Sequence, residues 1–189
     1  MGLAYANASE WLIHKYVLHG AGRRRRSFWS FHWLQHHRVV RLRAFHDPDY
    51  RLPLFRSWNA QSKEAACLAG LAVAHLPLAP VAPFFTGTAL YCIWNYYRVH
   101  RRSHLDPAWA REHLPWHYDH HMGPNQDANW CVTKPWCDEL MGTRVRYAGT
   151  EREQQDIARR ARRAGRAKPR DERDTKPVGP PAAPAAVLS

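Results

Sequence analysis

Ten of the thirteen histidines in this chain of 189 residues fall into four short clusters. They are His14 and His19 in HKYVLH, His32, His36 and His37 in HWLQHH, His100 and His104 in HRRSH, and His117, His120 and His121 in HYDHH. Imidazole is the commonest side-chain metal ligand and suits Zn, Cu, Fe and Ni. On an α-helix positions i and i+4 lie about 40° apart and i and i+3 about 60° apart. His32 with His36, His100 with His104, and His117 with His120 and His121 therefore share a face. The adjacent pairs His36–His37 and His120–His121 diverge by about 100°, so one member can face one ion while its neighbour faces another. His14 and His19, spaced i and i+5, fit an α-helical face less well. A structural zinc site needs four ligands and usually includes cysteine, so ten histidines would saturate two ions. A basic, His-rich tract for anion binding would be contiguous, whereas these clusters spread over more than a hundred residues. The spacing predicts a two-metal site.

The elements that must position these rings are helical. Hydrophobic residues make up 45% and charged residues 23%, which excludes a wholly disordered chain. Residues 3–19 read as a helix that Gly20 and Gly22 can end, an aromatic stretch with helical spacing begins at Ser27, and residues 46–53 read as a loop. The most apolar part, Ala65 to Val99, is interrupted by Pro77, Pro80 and Pro83, which no continuous helix tolerates. It splits into two helices of roughly 15 residues, about 22 Å each against a ~30 Å hydrocarbon core. Flanking aromatics such as Trp58 and Tyr96 extend them to a spanning or deeply inserted hairpin, with a buried soluble hairpin as the alternative. Arg51, Arg56 and Lys63 precede it and Arg98, Arg101 and Arg102 follow, so both ends belong in the cytosol. His100 and His104 then emerge one turn beyond the apolar segment, at the membrane face, where a lipid chain can reach them. His75, near the uncharged tip, reads as an interfacial side chain. Residues 104–147 are loop-rich. The expected domain is 1–147, followed at 148–189 by a basic, then Pro/Ala-rich tail, largely disordered.

The formal charge of +12 calls for an anionic neighbour, nucleic acid or lipid headgroups. Most of it flanks the hairpin or lies in the tail, which suits lipid and argues against nucleic acid. Four cysteines with no short pairing pattern make no disulfide framework and point to a reducing, cytosol-facing protein. Glu10 and Lys15 interrupt the first apolar stretch, so it is no secretory signal. HExxH, GxSxG, glycine-rich phosphate loops and HxE with a Cys pair are absent, as are the Glu-x-x-His pairs of carboxylate-rich di-iron bundles. An all-imidazole ligand set is what remains.

The stretch EWLIHKYVLHG, the HxxxHH at His32, the HxxxH at His100 and the HxxHH at His117 resemble the fatty acid hydroxylase superfamily. These are integral-membrane, non-haem di-iron oxygenases such as sterol desaturases and fatty acid or carotenoid hydroxylases. The closing NWCVTKPWCDELMGTR, with Trp-x-Asp-x-Leu-x-Gly-Thr at Trp136 to Thr143, is similar to the family's ending, and the resemblance covers about residues 9 to 145. It implies an all-α protein with a membrane-embedded apolar hairpin and a cytosolic helical cap. In that cap the ten boxed histidines would bind two irons, with zinc a substitute in a recombinant preparation. The irons would activate O₂ to hydroxylate or desaturate an unactivated C–H bond of a lipid. The chain departs from the family in two ways. Ahead of the first box, where the family usually has a transmembrane hairpin, it has room for only the second helix, and three residues separate His32 from the pair that follows, where two is common. Glu10, Asp119 and Asp127 lie near the boxes and are candidates to accept the free ring N–H of ligand histidines, Asp119 foremost as a catalytic residue. With no haem or iron–sulfur pattern, electrons would come from a separate ferredoxin or cytochrome-type donor docked on Arg23 to Arg26, Arg41 and Arg43. A non-catalytic poly-histidine metal-binding membrane protein is the alternative.

Overall fold

The computed structural model describes residues 1–166, and among them every regular element is helical. Helix α1 (Gly2–Leu12) runs without a break into a first π-helix (Ile13–Ala21). Gly22 then reverses the chain. A Cβ there would sit 1.8 Å from the Leu18 carbonyl oxygen and 2.9 Å from that of Trp29, a closeness only glycine permits. A second π-helix (Phe31–His37) continues into α2 (Arg38–Leu42). The 46–53 segment is a loop around a 3₁₀ turn (Pro48–Arg51), opened by the Asp47 carboxylate, which accepts the Asp49 N–H.

The hairpin divides where its prolines require. Helix α3 (Ala60–His75) is capped by Asn59, whose side-chain oxygen accepts the Ser62 N–H at 3.0 Å. A 3₁₀ turn (Leu76–Leu78) leads to α4 (Pro83–Leu105), with Pro83 in the first turn, where its missing N–H leaves nothing unpaired. Short helices α5 (Pro107–His113), α6 (Pro115–Met122) and α7 (Trp136–Leu140) build the cap, and α8 (Glu151–Arg166) follows. Helices α1 and α3 both pack on α4.

Of the spanning or deeply inserted hairpin expected from sequence, the spanning form is not met: among the described residues no helix is long and apolar enough to cross a membrane. Helix α3 has 16 residues, about 24 Å of rise. Helix α4 has 23, but Arg98, Arg101 and Arg102 occupy its last third and leave only residues 83–97 free of charge. What the hairpin does have is an uncharged stretch from Ala65 to Tyr97, with Val73, Leu76, Val81, Phe84 and Trp94 exposed on it.

The chain divides after Glu153 into a compact unit, Met1–Glu153, and a second unit from Gln154. The first reaches beyond the expected residue 147 because Glu153 is tied into it. Glu153 is bound by the Arg111 guanidinium at 2.8 and 2.7 Å and by the Gly149 N–H at 2.7 Å. Within the second unit the described residues are helical; the expected disordered tail lies mostly outside the described residues. The first unit's hydrocarbon core is modest. One cluster gathers Val40, Phe45, Ala110, Tyr118, Met122 and Tyr147, another Trp11, Trp130 and Cys131. Among its most deeply buried large side chains are His19, His36, His104, His117, His120 and His121. Burying so much imidazole is unfavourable unless every ring nitrogen finds a partner.

Candidate metal centre

All ten boxed histidines converge, and they sort into two adjacent cages. His14, His19, His32, His37 and His120 form the first; His36, His100, His104 and His121 form the second, and in each the ligand atoms lie within 4.8 Å of one another. His117 joins the second, its Nε2 3.1 Å from His104 Nε2 and its ring 4.7 Å from that of His121. The adjacent pairs divide between the cages: His36 and His121 face one, His37 and His120 the other. The π-helices explain spacings that an α-helix does not. Their hydrogen bonds run from i to i+5, which brings i and i+5 to one face. His14 and His19 thus share the first cage, and so do His32 and His37, whose Nε2 atoms lie 3.1 Å apart. On α4 the i, i+4 pair His100 and His104 shares the second cage, and on α6 His117 pairs with His121 at i+4. His120, expected on the same face as His117, turns to the first cage, and His32 and His36 are likewise separated.

Outward partners fix which ring nitrogen carries the proton. Nδ1–H of His14 donates to the Trp130 carbonyl at 2.5 Å, that of His120 to the Ala128 carbonyl at 2.7 Å and that of His104 to the Phe45 carbonyl at 3.0 Å. His36 donates to Asp47 at 3.0 Å and His100 to Glu64 at 2.6 Å. Each of these five rings therefore presents a bare Nε2 lone pair inward. His36 Nε2 and both ring nitrogens of His121 are buried with no hydrogen-bond partner. Nε2 atoms in contact are 2.9–3.2 Å apart. That matches the ~3.0 Å between neighbouring nitrogens at right angles around an ion bound at about 2.1 Å. Burial, reinforced by the neighbouring imidazoles, pushes His14, His32, His37, His117 and His121 well below the ordinary histidine range. Burial also lowers His120 to about 4. These rings are neutral at neutral pH, the form that ligates. The cages can hold metal ions.

The outer groups differ from those expected. Asp119 touches no histidine: its carboxylate pairs with Arg144 at 2.7 Å and accepts the Ala148 N–H at 2.6 Å. It lies two positions beyond His117, about 200° round the helix, and so points away from the cages. Glu10 likewise faces elsewhere, accepting the N–H groups of Val132 and Thr133 at 3.0 Å, and burial pushes it up to about 7. Asp127 comes within 3.8 Å of His19 Nδ1 but bonds Arg23 at 2.5 Å. The carboxylates that hold rings are Asp47 and Glu64, neither of which stands beside a box. Burial alone would raise Asp47, yet the His36 ring and the Asp49 N–H hold it below the usual carboxylate range. Glu64 also accepts the Tyr50 O–H.

The closing motif is a backbone clamp. Asp138, fully buried, accepts the N–H groups of Trp130 and Cys131, each at 2.8 Å, and the Thr143 hydroxyl at 2.7 Å. From α1, Asn7 accepts the Cys137 N–H at 3.0 Å and donates to the Lys134 carbonyl at 2.7 Å. These bonds fix the segment whose Trp130 carbonyl orients His14. The four cysteines are free, and none belongs to a cage.

Two openings reach the centre. A cavity of about 430 Å³ lies among α1, α3 and α4, its inner wall formed by His14, His32, His36 and His100 and much of the rest by apolar side chains such as Ile13, Val17, Leu68 and Ile93. A second, basic groove of about 610 Å³, lined by Arg25, Arg38, Arg41 and Trp33, reaches His37. Trp33 packs 5.1 Å from the His37 ring, with the Arg23 guanidinium 4.5 Å over its indole. No family model, no curated protein and no solved structure matches the chain.

Proposed function

We propose that this chain is a membrane-associated di-iron oxygenase that hydroxylates or desaturates an unactivated C–H bond of a lipid with O₂. The observation that carries this reading is the meeting of two unlike environments, an apolar cavity whose inner wall is the imidazole cage. A cage that only stored metal would have no use for a lipid-sized cavity against its ligands. The likeness of the four boxes and the closing motif to the fatty acid hydroxylase superfamily supports the same conclusion.

His14, His19, His32, His37 and His120 would hold one ion, and His36, His100, His104, His117 and His121 the other. Five imidazoles apiece exceed the four ligands of a structural zinc site and suit iron, and imidazole, unlike thiolate, survives beside an oxidant. When bound, the two irons supply O₂ activation for oxidation of the C–H bond. The chain supplies the rest. Asp47 and Glu64 hold the His36 and His100 rings in the tautomer that ligates through Nε2. The Tyr50 O–H engages the second Glu64 oxygen, so that carboxylate stays an acceptor. The cavity orients an apolar chain and keeps bulk water from its reacting carbon.

The uncharged, apolar surface of the hairpin, with basic residues at both its ends, supports insertion of its tip into the cytosolic leaflet and a metal site on the cytosolic face. The basic groove beside His37 suits an acidic one-electron carrier of ferredoxin or cytochrome type. Expression in a lipid-rich host with comparative lipid mass spectrometry tests the function. An oxidised lipid made by the unmutated chain and lost in the His120→Ala His121→Ala variant is the expected result. A product that persists in that variant removes the assigned role. Iron binding with neither oxygen consumption nor product identifies a non-catalytic metal-binding protein.

A further inference from the structure

We propose that Tyr5 and His75 form a polar recognition point at the outer end of the cavity, and that the lipid bound there carries a hydroxyl group. The inference deepens the substrate site; it rests on the cavity being the lipid site and not on the oxygen chemistry.

The cavity has two distinct ends. Its inner end is set by His14, Glu64 and His100, and Tyr5 and His75 line the other. From Tyr5 to His14 and from Glu64 to His75 the helices rise about 14 and 16 Å. The inner histidines are buried, whereas Tyr5 is 44% exposed, so the mouth is the Tyr5 end. That mouth opens beside the uncharged hairpin surface.

The hydrogen bonding at the mouth has a direction. His75 Nδ1–H donates to the Leu71 carbonyl at 2.7 Å, which leaves Nε2 a bare lone pair. That lone pair accepts the Tyr5 O–H at 3.0 Å. Phe85 packs against both rings, 5.0 Å from Tyr5 and 6.4 Å from His75, and holds the pair in place. The Tyr5 proton is thus committed to His75, and its oxygen keeps lone pairs to offer. A ligand head group must bring its own O–H to meet an acceptor. A carboxylate or phosphate brings only acceptors, and no Lys or Arg stands on α1 or between Ala65 and Tyr97 to receive it. An alcohol fits, with the carbon facing the cages some 14–16 Å from its hydroxyl.

The test uses the full chain loaded with redox-inert Zn²⁺ in phosphatidylcholine nanodiscs. Three photoreactive probes of equal length carry a diazirine at the far carbon: a primary alcohol, the matching alkane and the matching fatty acid. Peptide mass spectrometry maps where each attaches. The alcohol should label the inner end, around Ile13, Tyr50 and Tyr96, and the alkane should label without end preference. In the Tyr5→Phe His75→Leu double variant, which leaves no side-chain acceptor in this pair, the inner-end yield of the alcohol should fall about fivefold, the loss of one hydrogen bond. Equal patterns for alcohol and alkane, stronger labelling by the fatty acid, or an unchanged pattern in that double variant overturns the proposal. Absence of cavity labelling by any probe overturns the lipid cavity as well. Alcohol labelling in a chain that turns nothing over supports this site and removes only the oxygenase.

Discussion

His100 Nε2 and His104 Nε2 face each other at 3.2 Å with no proton to share. Glu64 holds the Nδ1 proton of one ring and the Phe45 carbonyl holds that of the other. Two lone pairs at that distance repel unless a cation accepts both. Stripping metal with a chelator should therefore destabilise the protein. The expected loss is about 4 kcal/mol relative to free metal a thousandfold above Kd, read as a lower calorimetric Tm that Fe²⁺ or Zn²⁺ restores. A Tm indifferent to chelation would mean that the rings pack as a core and hold nothing.

Glu64 accepts two donors, the Tyr50 O–H and the His100 Nδ1–H. In Glu64→Gln the amide keeps one acceptor and turns an NH₂ toward the other donor. Metal affinity should fall about 10- to 100-fold, measured by competition with a chromogenic chelator. The second cage should empty first, and Asp47→Asn, beside His36, should act in the same direction.

Asp119→Asn should do the opposite. Its carboxylate is paired with Arg144 and the Ala148 N–H and not with a ring. Metal affinity should stay within about twofold while unfolding stability drops by about 3 kcal/mol, as when one partner of a buried ion pair is removed. A variant that unfolds normally but no longer binds metal would return Asp119 to the centre.

Much of this site is legible in the sequence because metal ligation has a period. The four boxes meet, and the adjacent pairs His36–His37 and His120–His121 part company between the cages as helical divergence requires. The i, i+5 spacing of His14 and His19 looks wrong only on α-helical geometry; the π-helix that makes it right is not announced by any residue type. Asp119 misleads by proximity, since a residue two places from a ligand faces away. Asp47 and Glu64 are hidden by distance, one in a loop and one in the first turns of α3. The Trp130, Ala128 and Phe45 carbonyls that fix three tautomers are backbone atoms, invisible until the chain is folded. The hairpin is legible in its prolines, but its two helices do not reach spanning length, because the arginines that end the apolar run lie within α4.

The metal-free protein should be acid-labile with a definite sign. A histidine in the unfolded chain titrates near 6.5, whereas burial holds His120 at about 4 and His14, His32, His37, His117 and His121 well below the ordinary value. Above pH 6.5 neither state binds these protons, so the six rings leave stability unchanged there. Glu10, pushed up to about 7, works in the opposite direction between its unfolded value and 7, one carboxyl against six rings. As pH falls below 6.5 the unfolded chain takes up protons that the folded one refuses. For His120 alone the loss approaches about 3 kcal/mol by pH 4. Urea midpoints of the stripped protein should fall steeply across that window, and those of the metal-loaded protein should fall at least as steeply, because unfolding then also releases metal.

Electron delivery should depend on the basic groove beside His37. Arg25 and Arg38 are exposed at its rim, and Trp33 lies between the surface and the first cage. An Arg25→Glu Arg38→Glu variant removes two positive charges and adds two negative ones at a face that leads to the metal site. Against an acidic ferredoxin-type donor the association rate should fall roughly tenfold at low ionic strength, and the difference should shrink as salt screens both proteins. Metal content should be unchanged, since neither arginine bonds to a cage histidine, and stopped-flow reduction at several salt concentrations reads the association rate and its salt dependence. If the variant keeps the unmutated rate and the same salt dependence, the donor docks elsewhere and the groove serves some other anion.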